Sequence, residues 1–477
     1  MDFEVDRSGV NIGVRTQFLL SLGLVALTAG CAAGRDYAAP ASLDLGVPDG
    51  YTRGAGEPVS EEQLASWWTR FNEPALDALI DKAIAANLDI AQAATRLRQA
   101  RESLVQARAG YLPQVSGSAG AGRNVSNKGR DTNSFSLGAD ASWQIDLFGG
   151  ISRGVEAARA DLEGSGYDLA AVRVAIVAEV TSNYIQTRLA QERLRIARET
   201  LANADDNLQI AGWRVQAGLV SSLDQEQARA SRASTAASIP AIETNLAGAL
   251  NRIAVLTGEA PGESTRPLEQ ATPIPAAPTD IATGIPADTL RQRPDVRGAE
   301  RTLAAATARI GVAQAALYPA LGITGNIGTS ALSLGNLANT ITGGLFAGLS
   351  QAIFNGGRLR SQVRSQEAAA DGAFAAYKQT VLTGLEDVEN ALVALDSAQV
   401  RLEQFTIALD ASNNSAILAR SQYRAGLTDF QTLLQTEQSL LSARDGLASA
   451  QAARALAVVQ LYNALGGGWQ TMDGRPE

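Results

Sequence analysis

The segment Ser134–Phe148, SFSLGADASWQIDLF, leaves this chain few choices of fold. Phe135, Leu137, Ala139, Ala141, Trp143, Ile145 and Leu147 fall on one face of an extended strand. Ser134, Ser136, Gly138, Asp140, Ser142, Gln144 and Asp146 fall on the other. Successive side chains of a strand point to opposite faces, so the pattern predicts one apolar and one polar side. About 9–11 tilted residues cross the hydrocarbon core of a bilayer, and this run is longer. Phe135 lies near one end, Trp143 and Phe148 toward the other, as in a lipid-facing band between aromatic girdles. The edge of a soluble β-sandwich would show the same alternation.

Composition removes several alternatives. The chain of 477 residues contains no histidine, which excludes His-based triads and His metal sites. Its one cysteine, Cys31, permits neither an internal disulfide nor a cysteine metal cluster. A net charge of −9 gives no basic footprint for nucleic acid. No run of 18 apolar residues follows position 31, so membrane entry requires a closed barrel, whose backbone groups are all paired.

Residues 1–30 read as a signal peptide, with the apolar run Phe18–Thr28 behind Arg15. Leu27-Thr28-Ala29-Gly30-Cys31 resembles the lipobox of bacterial lipoproteins, which assigns the lipid to Cys31. Ala32 follows where an Asp would retain a lipoprotein in the inner membrane. Asp2, Glu4 and Asp6 do not suit a positive leader, and the expected start is Val14.

Residues 31–60 read as an extended tether and 61–260 as a first repeat of helices around a β-hairpin at 114–148. Residues 261–284 read as a Pro-rich linker, 285–468 as a second repeat with a hairpin at 320–354, and 469–477 as a tail. Pro74 to Gly110 reads as one helical pattern, and Ile151–Ala217 as a helix of roughly 100 Å. Helix resumes from Leu223 to Thr257, interrupted at Pro240. The repeat shows in paired signals: Asp89 with Asp295, Pro113 with Pro319, Gly150 with Gly357, Gly218 with Gly426, Leu256 with Leu465. Their offsets drift only from 206 to 209. Phe346 breaks the alternation of the second hairpin. Leu385, Val388, Leu392, Leu395 and Leu402 follow heptad spacing. Four strands cannot close a barrel, so several chains must supply it: two give eight strands, three give twelve.

Tyr111-Leu-Pro-Gln114, Asp146-Leu-Phe-Gly-Gly150, Arg293-Pro-Asp-Val296, Phe354-Asn-Gly-Gly-Arg358 and Tyr423-Arg-Ala-Gly426 occur in order. With them the chain resembles the TolC-like outer-membrane factors, in the lipoprotein branch serving resistance–nodulation–division efflux pumps. The resemblance implies a mainly α protein with a transmembrane β-barrel. That is a homotrimer with a 12-stranded barrel, four strands per chain, continued by a 12-helix periplasmic coiled-coil α-barrel. It implies a lipid-anchored passive exit duct in the outer membrane, without enzymatic activity or cofactor. Its partners would be a periplasmic adaptor and an inner-membrane pump. A type I protein-secretion duct would share the architecture. An enzyme using Asp140 and Asp146 as a carboxylate pair, and a purely structural coiled coil, explain less of the pattern. On the duct reading the two Gly turns form the periplasmic mouth. Arg214 and Asp224 flank the first and Arg424 and Asp429 the second, the latter two paired to hold it shut. Gln435 stands where the drug-pump branch often carries an Asp.

Overall fold

The computed structural model describes residues 33–48, 50–52, 61–278 and 290–469. Cys31, the signal peptide, the tether's residues 53–60, part of the Pro-rich linker and the tail beyond Trp469 lie outside them. In order, the main elements are α1 (Pro74–Ala86), α2 (Leu88–Ala109), β1 (Gln114–Asn124), β2 (Thr132–Ile145), α3 (Gly150–Gln216) and α4 (Ser222–Leu256). Then come α5 (Pro294–Ala315), β3 (Ala320–Ala331), β4 (Ile341–Ser350), α6 (Arg358–Ala425) and α7 (Phe430–Ala464). Helices α3 and α6 run for 67 and 68 residues. Among the described residues no helix is long and apolar enough to cross a membrane.

The chain divides into two compact units. The first is drawn from Met1–Ala39, Leu97–Ser165 and Ala299–Tyr377. The second is drawn from Pro40–Arg96, Gly166–Gly298 and Lys378–Glu477.

The first unit holds an antiparallel four-stranded sheet in the order β1-β2-β3-β4. The pairing of β2 with β3 joins the hairpins of the two repeats. The register puts Leu137 opposite Thr329, Ala139 opposite Ile327 and Trp143 opposite Ile323, so the apolar residues of both hairpins share a face. Asp140 pairs with Asn326 and Ser142 with Thr324 on the other face. The second strand of each hairpin, β2 and β4, stops sooner than its sequence pattern. Asp146 leaves the ladder because its carboxylate accepts from the backbone N–H groups of Ile151 and Ser152, at 3.1 and 2.7 Å, and caps α3. Phe148 stacks on Tyr318 at 4.8 Å, beyond the strand, rather than in a girdle on it. Residues 351–354 likewise lie past the end of β4. Capping occupies Asp146, so the carboxylate-pair enzyme loses one of its two groups.

A short strap follows Cys31. Ala33 N–H donates to Phe148 O at 2.9 Å. The buried Arg153 donates to Ala33 O and Gly34 O, and pairs with Asp36 and Glu156 at 2.7 Å each. Gly34, at φ +93°, lies so close to Gly311 that a Cβ on it would stand 2.7 Å from the Gly311 Cα. Tyr37 O–H donates to Glu300 at 3.2 Å; burial, then the Glu300 charge, pushes its phenol upward.

The second unit holds the larger core. Trp67, Trp68 and Phe71 enter it from a 3₁₀ turn, and Trp67 stacks on Tyr462 at 5.2 Å. Val388 and Leu392 of the heptad seam are buried there, while Leu385 and Leu402 are half-buried. Two expectations need correction. The helical pattern from Pro74 breaks at Asn87, whose Oδ1 caps α2 by accepting from Asp89 and Ile90 N–H. Its amide also donates to Leu256 O; in the second repeat Arg293 reaches Ala464 O in the same way. Pro240 lies inside α4 without ending it, because a Pro removes only one donor from a helix held at many other points. The Pro-rich linker is packed over its described part. Leu268 and Ala277 are buried, Arg188 and Gln191 donate to Leu268 O, and Arg454 donates to Ala277 O and Pro278 O.

Candidate gate at the two helical turns

Helix α3 ends where Gly218 takes φ +70°, and Leu219 N–H reaches back to Arg214 O at 2.9 Å. Helix α6 ends in the same manner: Gly426 has φ +74°, and Leu427 N–H donates to Gln422 O at 2.9 Å. Both are left-handed glycine caps that satisfy orphan carbonyls. Only glycine adopts this backbone without steric strain, which is why the repeat preserves Ala-Gly-Leu at both places.

Beneath the turns lies a small core of Ala211, Ala228, Ala419, Tyr423, Phe430 and Leu433, with Leu434 packed against it. The rings of Tyr423 and Phe430 are 5.5 Å apart. Arg214 lies with its guanidinium 4.5 Å from the centre of the Tyr423 ring and donates to Tyr423 O at 3.1 Å. It thereby ties the end of α3 to the end of α6. Asp429 caps α7 by accepting from Thr432 N–H at 2.7 Å. That hydrogen bonding holds its carboxyl below the usual aspartate range.

The five residues singled out by sequence therefore do different things within one chain. Arg214 is engaged with Tyr423, and Asp429 with its own helix. Within one chain Arg424 and Asp429 do not pair, since capping directs Asp429 along α7. Arg424 is exposed and Asp224 half-buried, and neither takes part in an ion pair among the described residues. Gln435 is exposed on α7. The strongest polar link here was not singled out: Arg420 of α6 grips Glu437 of α7 through two hydrogen bonds, the Nη2–Oε2 distance being 2.7 Å. Glu437 raises the guanidinium's proton affinity further. The signal was present in the numbering, because 420 and 437 flank the turn at similar distances, five residues before the end of α6 and seven after the start of α7. Nothing in the sequence points to the Arg214–Tyr423 contact. Among the described residues no group of three or more His, Cys, Asp or Glu could hold a metal ion.

A sheet polar on one face and apolar on the other, carried with long helices in turn-capped hairpins, defines a channel protein of the barrel-forming kind. The chain belongs to the outer membrane efflux protein family, whose model matches residues 79–259 and 285–467. It is 32% identical over 446 residues to the pyoverdine export outer membrane protein OpmQ of Pseudomonas aeruginosa, covering 91% of this chain and 94% of that one. It is 31% identical to nodulation protein T of Rhizobium leguminosarum bv. trifolii, covering 93% and 96%. The solved outer-membrane channel OprN superposes with a TM-score of 0.82 at 34% identity, covering 92% of this chain and all of that one. The protein is an outer-membrane efflux channel, and family and fold are those of passive channel proteins.

Proposed function

We propose that three copies of this chain close a 12-stranded barrel and form the exit duct of a tripartite efflux system for small molecules. The observation that carries the reading is the sheet itself. Its outer strands β1 and β4 each offer an edge to pair, and one of its faces suits lipid while the other suits water. Pairing β4 of one chain with β1 of the next removes every edge from the lipid. The duct performs no chemistry: it opens and closes, and a periplasmic adaptor and an inner-membrane pump supply direction and energy. Export of pyoverdine is what the OpmQ name describes for that relative.

Cys31 carries the lipid anchor. The strap at residues 33–37, fixed by Arg153, brings the anchored end to the unit that contains the sheet. A Cys31→Ser chain is expected to lose incorporation of a palmitate analogue.

The two glycine turns form the gate. Arg424 and Asp224 are free to meet neighbouring chains at the trimer axis, with Asp429 and Gln435 beside them, while Arg214 holds the two hairpins of one chain together. Opening separates these hairpins, a shift between two packed arrangements. Arg424→Ala combined with Asp429→Asn removes both charges and leaves a competent helix cap, since Asn caps as well as Asp. Trimers of this variant should show higher conductance in a planar bilayer than the wild type. Wild-type conductance from well-formed trimers places the gate elsewhere.

A further inference from the structure

The polar face of the sheet has one departure from its chemistry. Across the four strands it is built from Ser, Thr, Asn, Gln, Asp and Gly, apart from Ala320 and Phe346. Phe346 sits opposite Thr324, and Thr324 opposite Ser142, so the ring stands in a polar row. The ring is 63% exposed in the single chain. It lies down along β4 over Gly344, where a Cβ would stand 2.7 and 2.9 Å from two of its ring carbons. The glycine is thus what lets the ring lie flat. On its other side is the cross-strand pair Gly322–Gly348, and a Cβ on either would meet no atom within 4 Å. The ring therefore borders a floor of bare backbone. In the row under Gly344, Asn326 pairs with Asp140, the one ionisable residue on this face of the described strands. Two strand spacings, about 10 Å, separate β4 from β2.

We propose that Phe346 and Asp140 form a binding station for planar aromatic cations inside the lumen, repeated once per chain. The inference rests on the reading of the polar face as the wet interior of a closed barrel. A ring face attracts flat π-systems and cations, and a carboxylate about 10 Å away reaches the far end of a fused-ring cation. The open glycine floor gives such a solute room to lie against the wall. A lumen needing only water would have no use for the ring.

The test uses ethidium as the probe, with binding to detergent-solubilised wild-type protein read by fluorescence anisotropy. Phe346→Ser and Asp140→Asn are each expected to weaken binding, Phe346→Ser by roughly 2- to 12-fold. Phe346→Tyr should retain it, as should Leu345→Ser on the opposite face, and every variant is checked for trimer yield. The lumen assignment has its own readout. In a Cys31→Ser background, Phe346→Cys should react with a membrane-impermeant maleimide in liposomes, and Leu345→Cys should be protected by lipid. Equal labelling at both positions refutes the barrel reading and the station with it. Labelling at 346 alone, with ethidium affinity untouched by Phe346→Ser, overturns the station and leaves the barrel standing.

Discussion

The two glycine turns are products of one repeat, yet the chain fastens them differently. At the second turn Asp429 caps the outgoing helix, Tyr423 and Phe430 pack face to tilted face, and Arg420 locks onto Glu437. At the first turn Ser221 occupies the cap position without a side-chain bond, and Trp213, Leu219 and Leu223 are exposed. Above the first turn Arg232 of α4 pairs with Asp205 of α3 at 2.6 Å, but the turn itself leans on the second: Arg214 rests on Tyr423, and Ala211 and Ala228 sit in the shared core with Phe430. Duplication thus preserved the backbone device and let the side chains diverge. One hairpin became a braced post, and the other a member steadied by it.

The largest test removes the shared core. Phe430 is 1% exposed, and Phe430→Ala should cost about 3–5 kcal/mol locally. Hydrogen exchange should quicken around both turns, residues 208–228 and 416–436. Protection retained at the first turn would mean that it has bracing of its own, and the comparison would break.

Arg420→Ala comes next. It leaves Glu437 unpaired with only 15% of its side chain exposed, which should cost about 2–3 kcal/mol. Faster exchange is expected in the adjoining ends of α6 and α7, with little change in α4.

Ser221→Asp sharpens the contrast from the other side. It offers the first turn the cap residue that the second already has and adds a negative charge at the helix N-terminus, a gain of about 0.3–1 kcal/mol. Slower exchange in the first turn of α4 would confirm that a missing cap is part of its weakness.

The smallest effect is a pH response. The Asp429 carboxyl titrates lower in the native chain than when unfolded, so its contribution is complete above the ordinary aspartate value near 3.9. It fades as the pH falls through the lower native value. Acid should therefore loosen the start of α7 in the wild type but not in Asp429→Asn. Exchange of the 430–434 amides, corrected for its intrinsic pH dependence, measures this.

Much of the architecture could be read from the residues in order. A period of two over Ser134–Phe148, glycines at 218 and 426, and the proline-free helical runs leading into them are local instructions. Each acts through sterics or side-chain direction over a few residues, and the repeat states them twice. Element ends were less legible wherever a polar side chain had two possible uses. Asp146 fits the polar side of a strand and also fits a helix cap; with Gly149 and Gly150 behind it, capping won. Asp429 posed the same choice, since an ion pair with Arg424 and a bond to the Thr432 amide compete for one carboxylate.

The sequence by itself determined the hairpins, the long helices and their glycine ends, because those follow from the nearest few neighbours. Tertiary structure alone decided that β2 meets β3, that Arg214 rests on Tyr423, and that Phe346 shares a face with Asp140. These depend on register and on packing between segments far apart in the chain. A shift of one residue would have turned every side chain of a strand to its other face.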